Sequence, residues 1–251
     1  MTRARQKKHK IVAVLPCRIN STRLFAKQFQ PLNNQSIIEF LVNQIKKSKL
    51  IDNIVLAVSK NPGNEIFIQF AKKNGLKFCL GDEDNVLKRI IKSGQMLNAT
   101  TIVRTTPENP YIYWQGIDQL IESHMKGNHD LSLYQGLPLG SNLEIIEMES
   151  LLKSYKNSQK KHRGELSTLY FYEHPKEFKI NEVLPDKILR RPQIRLTVDT
   201  PEDLILARII FTNLSKGKSP IPLEKIIQFL DNNPSIQKIN SHVSVKYKRY
   251  Y

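Results

Sequence analysis

"IVAVLPCRINSTRLFAK", residues 11–27, passes in one step from an unbroken apolar run to a loop of hydroxyls and fixed positive charge. Residues 11–16 lack the in–out alternation of a strand with one wet face, which marks a strand covered on both sides. Such strands belong to parallel sheets wrapped by helices. The pattern recurs downstream, where NIVLAV (53–58), LKFCL (76–80) and TTIVRT (100–105) read as strands. Between them lie amphipathic helices from Ser36 to about Lys47, from near Pro62 to Gly75, and from about Asp84 to Met96. Ser36 and Glu39 make a capping box, and Asn74-Gly75 supplies a stop signal. Three successive strand–helix units predict an α/β fold with a mainly parallel, right-handed, doubly wound sheet.

Further on, a helix near 115–126 leads to a strand at 130–134. Residues 135–190 are less regular, mixing strands at 143–148 and 177–183 with helices, and read as an inserted β/α lobe on the sheet. A strand at 193–198, a helix opening at Pro201 and a last helix at 222–230 complete the pattern. The expected organisation is one domain over 11–240, with basic tails at 1–10 and 241–251.

A chain of 251 residues that is 40% hydrophobic can bury one sizeable core. No apolar run reaches the roughly 18–20 residues needed to span a bilayer, and none precedes Ile11. Cys17 and Cys79 are isolated, so neither a disulfide framework nor a zinc site is indicated. The expectation is a soluble cytoplasmic protein with no membrane insertion. Of the net charge of +16, eight charges sit at the ends, in Arg3, Arg5, Lys7, Lys8 and Lys10 and in Lys246, Lys248 and Arg249, and the remaining lysines are scattered along amphipathic segments as on a solvated face. No helix-turn-helix, zinc finger or aromatic-rich RNA-binding motif accompanies it, so specific nucleic-acid binding is not expected. A small anionic ligand is the expected partner.

Ligands of parallel α/β sheets bind at the carboxyl ends of the strands. After the first strand come Arg18, Ser21, Thr22, Arg23 and Lys27, a set suited to a polyphosphate: arginine offers a planar fork and lysine a mobile point charge. A solvent-exposed basic loop would look the same. Neither a Walker A pattern nor G-x-G-x-x-G is present there. In Thr197-Val-Asp-Thr-Pro-Glu-Asp203, Thr200, Pro201, Glu202 and Asp203 are explained by helix capping, which leaves Asp199 over. A carboxylate there is well placed to hold magnesium against phosphate oxygens. Arg104-Thr-Thr-Pro-Glu108-Asn109-Pro110 follows the fourth strand; it could bring Glu108 near Asp199, or be a proline-flanked turn. Gly81-Asp-Glu-Asp84-Asn85-Val-Leu-Lys-Arg89 is equally well an ordinary helix start.

In combination and order, Arg-x-x-Ser-Thr-Arg-Leu-x-x-Lys, Gly-Asp-Glu-Asp-Asn-Val-Leu-Lys-Arg and Arg-Leu-Thr-Val-Asp-Thr-Pro-Glu-Asp-Leu resemble the cytidylyltransferases that activate sugars. The branch is the spore-coat-polysaccharide one, related to the KDO and acylneuraminate cytidylyltransferases, and the likeness runs from about Lys10 to Leu214. It implies a Rossmann-like sheet of the nucleotide-diphospho-sugar transferase type and transfer of CMP from CTP, with Mg2+ as cofactor and pyrophosphate as product. It assigns Arg18, Arg23 and Lys27 to the phosphates as catalytic cations, Ser21 and Thr22 to nucleotide binding, and Glu108 and Asp199 to the metal. Asp84 and Arg89 of the middle motif also fall to the nucleotide. The nucleobase pocket is expected near Leu15, Pro16 and Ser59, and the acceptor among Arg104, Asn109, Gln135, Glu144 and Arg163. A homodimer through the lobe is implied as well.

The chain departs from the family pattern at several positions. Glu108 stands where the family has Asp, and Phe25-Ala26 where it has Pro-Gly. Tyr113 or Trp114 replaces a common acidic residue. Arg163-Gly-Glu-Leu-Ser-Thr168 lacks the family's histidine, which would suit an acceptor that is already an anion, such as a sugar acid, sugar phosphate or phosphonate. Two rival readings remain: a degenerate member that binds nucleotide without turnover, and a binder of anionic polymers that works through the tails.

Overall fold

The computed structural model describes residues 9–217 and 219–244. Seven strands form one sheet: β1 (Ile11–Cys17), β2 (Asn53–Ser59), β3 (Lys77–Gly81), β4 (Thr101–Arg104), β5 (Leu131–Tyr134), β6 (Glu144–Glu147) and β7 (Ile180–Val183). Their spatial order is β3-β2-β1-β4-β6-β5-β7. β6 runs antiparallel to both its neighbours, β4 and β5, and the other pairings are parallel. The mainly parallel α/β sheet expected from the sequence is the one the chain builds.

The apolar run of β1 has a direct structural cause. Ile11, Ala13, Leu15 and Cys17 pack on one face of the sheet, with α1 (Ile37–Ile45), α2 (Glu65–Lys73), α4 (Ile117–Gly127), α7 (Pro201–Leu214) and α8 (Leu223–Asp231). Val12 and Val14 pack on the other, with α3 (Val86–Met96), α5 (Met148–Asn157) and α6 (Leu169–Glu173). Both faces are dry, so neither parity can be polar. Each valine, leucine or isoleucine among them contributes about 1.5–3 kcal/mol by leaving water. Among the described residues no helix is long and apolar enough to cross a membrane.

Helix starts follow their caps. Ser36 Oγ accepts from Glu39 N at 3.4 Å, and Thr200 Oγ1 from Asp203 N at 3.4 Å with Pro201 in the first turn. Asn85, rather than Asp84, caps α3, its Oδ1 accepting from Lys88 N at 3.0 Å.

The segment expected as a strand at 193–198 is not one. Arg195 makes a single parallel bridge to Leu139. Leu196 N and Thr197 N both donate to the Leu139 carbonyl, at 2.7 and 3.0 Å, which uses up the one acceptor and ends the ladder. Of the tail residues singled out from the sequence, Arg3, Arg5, Lys7, Lys8, Lys246, Lys248 and Arg249 lie outside the described residues.

Three features of this topology converge on one place. β1 and β4 are parallel neighbours, so the loops after Cys17 and Arg104 emerge side by side. Because β6 is antiparallel, its first residue, Glu144, is the register partner of Arg104, the last of β4. Val198 N donates to the Glu108 carbonyl at 3.2 Å, which sets Asp199 beside that same edge.

Candidate active site

The loop after β1 is pinned at both ends. The Ile19 side chain is buried, its N–H donates to Asn64 Oδ1 at 2.7 Å, and Gln28 Nε2 donates to the Arg18 carbonyl at 3.3 Å. Between these anchors Arg18, Ser21, Thr22 and Arg23 line a cleft of about 900 Å3. Ala26 takes the left-handed conformation, φ 48°, just before the short 3-10 turn Lys27–Phe29. That is a glycine-favouring position, and the next residue, Lys27, lines the cleft.

Lys27 Nζ lies 3.0 Å from Glu108 Oε1 and 2.6 Å from Asp199 Oδ1. Arg23 adds a longer contact to the same Asp199 oxygen, at 3.3 Å. The Lys27 side chain is only 12% exposed and both carboxylates 17%, so water screens these contacts poorly. Burial acts to lower the Lys27 pKa, but the negative charges of Glu108 and Asp199 outweigh it and hold the ammonium above its ordinary value. Burial pushes Asp199 up, yet Lys27, Arg23 and Arg195 together hold it below the usual carboxylate range. One buried cation thus sits where two carboxylate oxygens converge.

That convergence suits a divalent ion. The ammonium marks a point within hydrogen-bond reach of both carboxylates, a donor set that suits a hard cation. Among the described residues no group of three or more His, Cys, Asp or Glu side chains could hold a metal. Magnesium commonly uses one or two carboxylates and completes its shell with substrate phosphates and water, so Glu108 and Asp199 fit it.

The other half of the cleft is built on β4 and β6. Arg104 Nη1 pairs with Glu144 Oε2 at 2.7 Å, and its Nη2 donates to the Glu165 carbonyl at 2.8 Å. Thr168 Oγ1 donates to the second Glu144 oxygen at 2.8 Å. Arg18 Nη2 pairs with Glu165 Oε1 across the cleft. Asn109, 8% exposed, lines this half with an Oδ1 that has no hydrogen-bond partner among the described residues.

The structure therefore gathers Pro16, Arg18, Ser21, Thr22, Arg23, Lys27, Arg89, Arg104, Glu108, Asn109, Glu144 and Asp199 around one cleft. Five residues expected there do not line it. Leu15 is in the core. Ser59 is buried, its hydroxyl accepting from Asn61 N at 3.4 Å. Asp84 is exposed on the turn before α3. Gln135 is exposed and reaches Glu182 at 3.5 Å, and Arg163 lies over the Tyr155 ring and donates to the Ser158 carbonyl at 3.0 Å. Arg89 lines the cleft but spends its guanidinium on the Ala57 carbonyl at 2.9 Å and the carbonyls of Asp82 and Glu83, which tie the β3–α3 turn to β2.

The sequence reading missed Gln28, Asn142, Glu165 and Arg195, which also line the cleft. Arg195 carried a signal, since an arginine inside the apolar run QIRLTV needs a buried partner. The nearest histidine to the family's missing one is His162. It is buried and bonded to Glu173 at 2.8 Å, away from the cleft lining.

A family pattern described as cytidylyltransferase matches residues 12–242. The chain belongs to the cytidylyltransferase family. Among relatives, it is 33% identical over 239 residues to the uncharacterized protein MJ1063 of Methanocaldococcus jannaschii, covering 94% of this chain and 97% of that one. It is 27% identical over 230 residues to the spore coat polysaccharide biosynthesis protein SpsF of Bacillus subtilis, covering 89% and 95%. Among solved structures, a cytidylyltransferase from Leptospira borgpetersenii superposes with a TM-score of 0.84 at 22% identity, over 95% of this chain and all of that one. A CMP:2-keto-3-deoxy-manno-octonic acid synthetase complexed with CTP superposes with a TM-score of 0.61 at 14% identity, over 81% and 99%. The resemblance read from the three motifs is thus the family the chain belongs to, and these likenesses place the sheet among cytidylyltransferase folds.

Proposed function

We propose that this cytidylyltransferase transfers CMP from CTP to an anionic sugar-type acceptor and releases pyrophosphate. The observation that carries the reading is Lys27 Nζ, held between Glu108 and Asp199 at the foot of a loop that also presents Arg18 and Arg23. The synthetase fold that holds CTP supports the donor.

An acceptor oxygen forms a bond to the α-phosphorus of CTP as the bond from that phosphorus to the bridging oxygen breaks, and the electron pair leaves with pyrophosphate. Such chemistry needs positioning and charge neutralisation more than covalent help. Arg18 and Arg23 cover the β- and γ-phosphates. Lys27 turns from its carboxylates to the α-phosphate oxygens. Glu108 and Asp199 would hold Mg2+, which when bound neutralises phosphate charge and lowers the pKa of the acceptor oxygen. Arg104, fixed in plane by Glu144 and the Glu165 carbonyl, meets the acceptor's anionic group, with Asn109 beside it.

The test is a thermal-shift titration with CTP, UTP, ATP and GTP, with and without Mg2+, on the wild type and Asp199→Asn. CTP at about 100 times its dissociation constant adds roughly 2.7 kcal/mol of stability. The expected result is a shift selective for CTP, enhanced by Mg2+ and weakened in the variant. No shift with any nucleotide would overturn the reading.

A further inference from the structure

Asp199 spends its two oxygens differently. Oδ1 faces Lys27 at 2.6 Å and Arg23 at 3.3 Å, while Oδ2 accepts from Arg195 Nη2 at 2.9 Å. Arg195 is itself gripped by Asp203, Nε to Oδ1 at 2.8 Å and Nη2 to Oδ2 at 2.9 Å. The Asp203 side chain is fully buried, and its Oδ2 also accepts the N–H groups of Asp199 and Thr200, at 3.0 and 3.1 Å. From a helical turn near the end of the described chain, buried Asn240 donates to Asp203 Oδ1 at 2.8 Å and to the Arg195 carbonyl at 3.1 Å.

Capping accounts for part of this. As the third residue of α7, Asp203 needs only Oδ2 to close the box with Thr200. Its Oδ1, with Arg195 and Asn240 both bound to it, lies outside that motif. Charge balance alone does not explain the arrangement either, because a lysine would supply the same charge without three directed contacts from one planar group.

Resting on the metal assignment above, we propose that Arg195 is a positioning residue. It ties down Asp199 Oδ2 so that Oδ1 alone is presented to the cation, and Asp203 and Asn240 fix the guanidinium plane that does this. The orientation of the metal carboxylate is therefore set by a relay that runs to Asn240, 41 residues further along the chain by their numbers. Partners that orient a ligand in this way typically matter 10–100-fold to metal affinity or activity.

The experiment is a titration of Mn2+ alone into the full chain, with the free ion followed by electron paramagnetic resonance. Wild type, Arg195→Lys, Asn240→Ala and Asp199→Asn are compared, each shown to be folded by its circular dichroism melt. Arg195→Lys is expected to raise the Mn2+ dissociation constant about 10–100-fold. Asn240→Ala shifts it less, in the same direction. In turnover, excess Mn2+ restores kcat of Arg195→Lys while the KM for CTP stays at the wild-type value. If Asp199→Asn binds Mn2+ weakly but folded Arg195→Lys binds it like the wild type, the positioning role is overturned and the metal assignment stands. If wild type and Asp199→Asn behave alike, the metal assignment falls and takes this inference with it. Should Arg195→Lys not fold, an unchanged Mn2+ affinity in Asn240→Ala overturns the relay.

Discussion

Lys27 Nζ and Asp199 Oδ1, from residues 172 positions apart in sequence, meet at 2.6 Å inside the cleft. In the proposed reaction a lysine this well paired would exchange partners when phosphates arrive, and the exchange would be balanced by a divalent ion taking over both carboxylates. Lys27→Ala removes the cation that would meet the α-phosphate and leaves Glu108 and Asp199 facing each other. Turnover is expected to fall about 10²–10³-fold, the usual cost of losing one charge-stabilising donor. Lys72→Ala, on the exposed side of α2, should stay near wild type. Steady-state kinetics of the two variants side by side are the check; equal behaviour would reject the role of the loop.

The segment that carries Glu165 is anchored by an acid-sensitive contact. Gln159 N donates to His162 Nδ1 at 2.9 Å, so Nε2 is the donor to Glu173, which Lys161 also contacts at 2.8 Å. The bonds from His162 and Lys161 lower the Glu173 pKa from 4.5 to about 2. A depressed carboxylate contributes stability that is complete above its unfolded value and fades as pH falls through the folded one. The melting temperature of wild type should therefore exceed that of Glu173→Gln by a constant margin above pH 4.5, and the margin should shrink between pH 4.5 and 2. Melts in a pH series test this.

Gly140 lets two backbones touch at the floor of the cleft. Its φ is 93°, and a Cβ there would meet Thr197 N at 2.5 Å and Thr197 Cα at 2.7 Å. Backbone does not yield as a side-chain tip does. Gly140→Ala should cost about 2–3 kcal/mol from strain and clash, which lowers the melting temperature by roughly 4–12 °C for a chain of this size. Gly164→Ala, where a Cβ meets nothing within 4 Å, is the matched control.

How much of this was legible follows from what each signal encodes. β1, β2 and β4 were readable because helices cover both faces and leave apolar runs. β3, at the sheet edge with Lys77 and Leu80 exposed, was readable as a short run between two helices, and α1 and α7 because Ser36 and Thr200 announce them. No cap announces α5: it follows β6 directly, and Glu147 makes no side-chain capping bond. The run 193–198 imitates a strand because Ile194, Leu196 and Val198 are buried at alternate positions, yet burial says nothing of whether a partner strand lies alongside. In the site, Arg18, Arg23, Lys27, Glu108 and Asp199 were visible because they follow strands or strand-like runs. Arg89 could not be judged so, because type and position do not say where a guanidinium turns. The signal that Arg195 carried in its apolar neighbours was masked by the strand reading, which gives a polar residue between buried ones a solvent face.

Under the proposed function, the pairing of Arg104 with Glu144 is where an anionic acceptor and a neutral one would differ. Arg104 is a cation, but Glu144 stands at 2.7 Å and competes with any anion for it. For an anionic acceptor, Glu144→Gln removes that competitor while keeping an oxygen for Thr168, so the acceptor KM should fall. Arg104→Gln should raise it about 10-fold or more, the scale of a lost charged hydrogen bond at about 1.5–3 kcal/mol. The KM for CTP should change in neither variant, because the proposed function gives the phosphates to the loop after β1. A neutral polyhydroxyl acceptor gripped by Glu144 would reverse the first sign and raise its KM in Glu144→Gln. Acceptor and CTP KM values for the two variants, with sugar acids and sugar phosphates as trial acceptors, separate the two cases.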